Sequence, residues 1–142
     1  MKKNLLILML LLGSMMAFTG CEKDKEVDIL QGKWDYVKEA YTTRIDGALV
    51  ENGSYSYSPG NYYVEYSDNK FAFWEDNGTD PDGNGTFTKV NNVLTLTYSD
   101  GDVDTYELRF MDSNNVVMYA EERYTLNGKN YIETEEYTLK RR

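Results

Sequence analysis

The feature that most constrains this chain is strict alternation of apolar and polar residues. Leu94, Leu96 and Tyr98 are separated by Thr95 and Thr97, and Tyr106, Leu108 and Phe110 by Glu107 and Arg109. A strand sends successive side chains to opposite faces, so each run has one apolar and one wet face. Asp100-Gly101 lies between the two runs. Both residues tolerate positive φ, which predicts a type I′ hairpin there. After residue 21 no segment shows a helical period.

The same logic extends along the chain. Strands are predicted over 32–43, 62–67, 70–75, 85–90, 92–99, 102–111, 116–126 and 130–140, all rich in Tyr, Thr, Val and Phe. Asn127-Gly128 is a second hairpin signal, and Asp68-Asn69 and Asn114-Asn115 are weaker ones. Phe71 and Phe73 extend the inner face. Residues 44–60, with glycines at 47, 53 and 60, are read as a long loop. Eight antiparallel strands with one apolar face suit a closed barrel or a sandwich. Closure leaves no exposed sheet edge, which favours the barrel.

The N-terminus follows different rules. Lys2 and Lys3 precede an apolar run, Leu5–Leu12, too short for the ~20 residues of a membrane span. Phe18-Thr19-Gly20-Cys21 follows, and resembles the lipobox of bacterial lipoproteins, with Phe18 where Leu is commoner. The expected organisation is a cleaved signal peptide over 1–20, a lipidated tether over 21–29 and a barrel domain over 30–142. Cys21 is the only cysteine, so no intrachain disulfide forms, and lipidation accounts for it. The resemblance implies a diacylglycerol thioether and an amide-linked acyl chain such as palmitate. Two or more chains anchor stably. The expected location is the outer membrane, facing the periplasm or the cell surface. The tether Glu22-Lys23-Asp24-Lys25-Glu26 reads as a solvated spacer, or as an acidic surface-export signal.

Charge narrows the function classes. The full chain has 15 Lys and Arg against 24 Asp and Glu. Removal of Lys2 and Lys3 leaves 13 against 24, a formal charge of −11. Such a domain repels nucleic acid and anionic lipid. Histidine is absent, which removes the commonest general base and zinc ligand. No Ser/His/Asp or Cys/His set and no phosphate-cradling glycine loop is present. The chain is read as non-enzymatic and without a cofactor.

The start of the domain carries a further resemblance. Leu30-Gln31-Gly32-Lys33-Trp34-Asp35-Tyr36-Val37 opens the first strand with Gly-x-Trp. Phe71-Ala72-Phe73-Trp74-Glu75-Asp76-Asn77-Gly78 is similar to a Phe-x-Phe-x-x-Asp-Gly hairpin, with one extra residue before the glycine. Together with Asn92–Tyr98 and the basic end Lys140-Arg141-Arg142, these stretches resemble the lipocalin-like bacterial lipoproteins. That resemblance implies an eight-stranded up-and-down barrel, open at one end, with a long first loop beside the mouth. It also implies that Trp34 lies across the closed end with a basic C-terminal residue stacked on it. Strand parity selects Arg141, since Tyr137 and Leu139 share its face.

Candidate sites follow. An eight-stranded barrel is either filled by its own side chains or holds one small ligand. A cavity would be lined by Tyr36, Phe71, Phe73, Leu96, Tyr98, Tyr106 and Leu108. The expected function is binding of a small apolar or amphipathic ligand there. The alternative is a filled barrel that engages an envelope protein partner through its surface. The 13 tyrosines either make the interior aromatic and hydrogen-bonding, or are strand formers with wet hydroxyls. Asp80, Asp82 and Asn84 match the first half of a calcium loop, but Asn91 stands where the bidentate glutamate is needed. A plain hairpin loop accounts for the same residues. Parity also puts Glu122, Glu133 and Glu135 on apolar faces. An inward carboxylate could hold a cationic ligand or act as an acid, unless a bulge or the wet mouth accounts for it.

Overall fold

The computed structural model describes residues 29–75 and 78–142. The expected signal peptide, Cys21 and nearly all of the tether lie outside the described residues. Nine strands follow: β1 (Gly32–Ile45), β2 (Ala48–Ser56), β3 (Tyr62–Ser67), β4 (Lys70–Glu75), β5 (Gly83–Val90), β6 (Val93–Tyr98), β7 (Val103–Asp112), β8 (Asn115–Leu126) and β9 (Lys129–Arg141). Every neighbouring pair is antiparallel. β1 and β3–β9 form an eight-stranded barrel that closes by pairing β1 with β9, and β2 is an additional strand.

The extra strand corrects the long-loop expectation. Residues 46 and 47 form a two-residue turn with φ of 51° at Asp46 and 84° at Gly47, and β2 returns along β1 from Ile45↔Ala48 to Lys38↔Ser56. Positive φ at both turn residues is the twist that a tight hairpin needs. β3 then pairs with the first residues of β1, Gly32↔Tyr66 to Asp35↔Tyr63. β9 occupies the other edge of β1. Thus β2 and β3 lie end to end along one edge of β1, separated by the short segment 57–61.

A second correction concerns Asp100-Gly101. Only Gly101 has positive φ, 101°, and its N–H donates to the Tyr98 carbonyl. The connection is a four-residue loop rather than a two-residue type I′ turn. Asn127-Gly128 does have positive φ at both residues, 52° and 77°. β5 begins two residues before its expected start, at Gly83.

Alternation supplies the core. Trp34, Val64, Tyr66, Phe71, Phe87, Leu94, Leu96, Leu108, Val116, Met118 and Leu139 point inward and are buried, with Leu30 beneath them. Full burial of a large apolar side chain contributes ~1.5–3 kcal/mol. No charged residue is buried among the described residues. Gly85 permits a close approach of β5 and β6, since a Cβ there would lie 2.0 Å from the Thr97 carbonyl oxygen.

At one end the barrel is plugged. The Trp34 indole N–H donates to the Leu30 carbonyl at 2.7 Å. The Arg141 guanidinium lies 4.2 Å from the Trp34 ring centroid. Its N–H groups donate to the carbonyls of Gln31 (2.7 Å), Ile29 (2.6 Å) and Ser113 (3.2 Å). Arg142 turns outward, over the Tyr63 ring and 2.8 Å from the Asp35 carboxylate.

Candidate ligand site at the open end

The opposite end is built from aromatic side chains. Strand parity brings Tyr36, Phe73, Tyr98, Tyr106 and Tyr137 to one level above the core, each packed against it. Their rings run in sequence around the barrel. Centroids are 6.2 Å apart for Tyr98–Phe73, 6.1 Å for Phe73–Tyr36, 5.8 Å for Tyr36–Tyr137 and 6.2 Å for Tyr137–Tyr106. Asp104 closes the circuit: its Oδ2 accepts from the Tyr98 hydroxyl at 2.9 Å and the Tyr106 hydroxyl at 3.5 Å. The result is a belt of five rings joined through one carboxylate.

The predicted cavity residues therefore divide. Phe71, Leu96 and Leu108 are buried in the packed core. Tyr36 and Phe73 line an open apolar pocket of about 310 Å³ with Tyr57, Tyr62, Tyr63, Trp74, Glu75 and Asp82. Tyr98 lines a polar pocket of about 430 Å³ with Asp82, Asp100, Asp102 and Asp104. Tyr106 lines a third, of about 460 Å³, with Asp104, Glu122, Glu133 and Glu135. Among the described residues no Lys or Arg lines any of these three pockets.

Carboxylates accept hydrogen bonds from the rim tyrosines. Tyr57 donates to Glu39 at 2.6 Å, Tyr62 to Glu75 at 2.8 Å and Tyr137 to Glu135 at 3.1 Å. Burial and then its Glu39 hydrogen bond push the Tyr57 hydroxyl up to about 12. Burial is the leading cause of the upward shifts at Tyr36, Tyr98, Tyr106 and Tyr137, with carboxylates or neighbouring phenols adding to it. These phenols stay neutral at ordinary pH. Tyr57, Tyr62, Tyr98, Tyr106 and Tyr137 turn their O–H groups to carboxylates, so the rim offers an incoming molecule ring faces and hydrogen-bond acceptors.

Some of these residues escaped the sequence reading. Asp104 shares the parity of Tyr106 and Leu108, and Tyr62 that of Val64 and Tyr66, so both were accessible by alternation. Glu39 was not. A bulge between Tyr36 and Lys38 in the β1–β9 register shifts the phase of β1, which sets Glu39 opposite Tyr137. Tyr57 sits just past β2, in the segment read as loop.

The acids Glu122, Glu133 and Glu135 owe their places to a flare. β8 and β9 remain paired as far as Leu126↔Lys129, past the last β7–β8 pair, Glu107↔Tyr119. Parity is unbroken there, so these carboxylates continue the inner face into solvent. Glu122 and Glu135 are exposed and Glu133 half-buried. The calcium-loop candidates do not converge. Asp80 and Asp82 are exposed in the loop after β4, Asn84 belongs to β5, and among the described residues no three acid, His or Cys groups gather as a metal site.

Comparison of the sequence with protein-family models and with curated proteins finds no match in either.

Proposed function

We propose that this chain is a lipid-anchored envelope protein whose lipocalin-like barrel holds a small amphipathic molecule at its open end. The observation that carries the reading is the 310 Å³ apolar pocket floored by Tyr36 and Phe73 and edged by Glu75 and Asp82. Concave, mostly apolar sites with a few polar groups at the edge are the usual form of small-molecule sites. The packed core beneath keeps the ligand shallow, so an acyl or aryl body lies on the ring belt and its head stays at the rim. Among the described residues the pocket walls hold carboxylates and phenols and no Lys or Arg. The cations beside it, Arg142 and Lys33, are spent on the Tyr63 ring. The fitting head is therefore a hydrogen-bond donor, preferably an amine or other cation. Aromatic faces add to that preference, at ~0.5–2 kcal/mol per cation–π contact. Anchoring through Cys21 would tether this site at an outer-membrane surface, without an enzyme's machinery or a cofactor.

A second reading, an envelope interaction module acting through its surface, is supported by the filled lower half of the barrel. Native mass spectrometry of the mature protein, purified from its own envelope, separates the two. A retained molecule of a few hundred daltons, lost in a Tyr36→Ala/Phe73→Ala variant, supports the pocket. A bare protein mass supports the surface module.

A further inference from the structure

We propose that the slot between β7 and β8 is a docking site for an extended, basic polypeptide segment, which adds as a strand to the free edge of β8. This goes beyond the pocket reading and does not depend on it.

The first observation is the splaying of two neighbouring strands. β7 begins at Val103 and β8 ends at Leu126, yet their pairing stops at Glu107↔Tyr119. Beyond that point β8 is held by β9 on one edge only, through Leu126↔Lys129. Among the described residues no strand covers its other edge from Ala120 to Leu126, nor the facing edge of β7 from Val103 to Tyr106. Seven residues at ~3.3 Å each give a bare edge roughly 23 Å long, about the length of an ordinary strand. A row of alternating unpaired N–H and C=O groups is complementary to another backbone.

The second observation is the chemistry of the gap. The slot has a volume of about 460 Å³ and is walled by Asp104 and Tyr106 from β7 and Glu121 and Glu122 from β8, with Glu133 and Glu135 from β9. Arg123 pairs with Glu121 at 2.6 Å and neutralises that one acid, leaving Asp104, Glu122, Glu133 and Glu135 without a cation among the described residues. An added strand sends every second side chain to this inner face. Lys or Arg at alternate positions would therefore meet carboxylates. A second copy of the chain fits poorly, because it would bring the same acids into the same gap. The occupant is thus an extended partner segment with basic residues at i and i+2.

The test uses the mature protein and a labelled ten-residue peptide that alternates Lys with Val or Thr. Fluorescence anisotropy should show saturable binding that weakens as salt rises, and amide exchange should slow within 120–126. The same peptide N-methylated on every backbone amide keeps its charge but has no N–H to donate from either edge, and should bind at least tenfold more weakly. A Glu122→Gln/Glu133→Gln variant should weaken the parent peptide about tenfold. Equal binding of the two peptides would overturn strand addition. Absence of binding would mean that the inward acids only guard an exposed edge, and would also overturn it. Because the peptide comparison needs no variant, the outcome does not hang on how the double variant folds. Neither arm engages the Tyr36–Phe73 pocket, so failure here leaves the amphipath reading standing.

Discussion

Trp34 and Arg141 face each other across the β1–β9 seam, with the guanidinium 4.2 Å from the indole centroid. One contact thereby joins the first strand to the last and caps the core. The planar, weakly hydrated guanidinium can stack while its fork donates to the carbonyls of Gln31, Ile29 and Ser113. Arg141→Ala should cost roughly 2–3 kcal/mol, from the stacking and the lost charged hydrogen bonds. Arg141→Lys should recover less than half, because an ammonium has no planar face. Urea denaturation checks both, and an Arg141→Ala midpoint equal to wild type would contradict this role.

Gly85 tests the β5–β6 approach. A methyl group 2.0 Å from the Thr97 carbonyl oxygen must push backbone against backbone. Gly85→Ala should destabilise by about 2–3 kcal/mol. Gly101 has nothing within 4 Å of a built Cβ, so Gly101→Ala meets no clash and pays only for its φ of 101°. The loss should be larger at Gly85, as read from the two melting curves.

The buried tyrosines set the alkaline limit. Burial, first of all, raises the Tyr66, Tyr98, Tyr106 and Tyr137 hydroxyls above their ordinary value. Below the unfolded value of ~10 these phenols are protonated in both states and the fold keeps its full stability. Above it the unfolded chain loses protons that the folded chain retains, so stability falls as pH rises. Unfolding free energy should hold level from pH 8 to about 10 and then decline. Tyr66→Phe loses only a 4.0 Å contact to the Met118 sulfur, so it should change stability little at pH 7 and soften the alkaline decline. Absorbance at ~295 nm follows the ionisation.

Cys21→Ser removes the acceptor of the expected diacylglycerol and amide-linked acyl chain. The variant should leave the membrane fraction and appear as soluble protein. Retention in the membrane would contradict the lipid anchor.

Alternation and turn residues made most of the barrel legible. β3 and β4 start and stop where Tyr62–Ser67 and Lys70–Glu75 were read, because one buried face imposes the pattern. β2 was missed because it imposes none: Leu49, Val50 and Tyr55 are all exposed, and Glu51, Asn52 and Gly53 interrupt any apolar run. Its signal was Asp46-Gly47, the same kind of dipeptide read as a turn at Asp100-Gly101. At the open end, parity reached Tyr36, Phe73, Tyr98 and Tyr106. It could not reach Glu39, because a bulge is a local backbone event with no residue-type requirement at Val37. The packing of Phe71, Leu96 and Leu108 into a filled core was likewise unreadable, since cavity and core use the same apolar letters.

The central claim is that the ring belt and its acidic rim hold a donor-headed amphipath. Isothermal titration of the mature protein with decylammonium and with decanoate, both below their aggregation concentrations, tests it directly. The two share an alkyl chain and differ in head charge. Decylammonium should bind one saturable site, decanoate at least tenfold more weakly, and a folded Tyr36→Ala/Phe73→Ala variant should lose the site. No saturable binding, or tighter binding of decanoate, would contradict the claim.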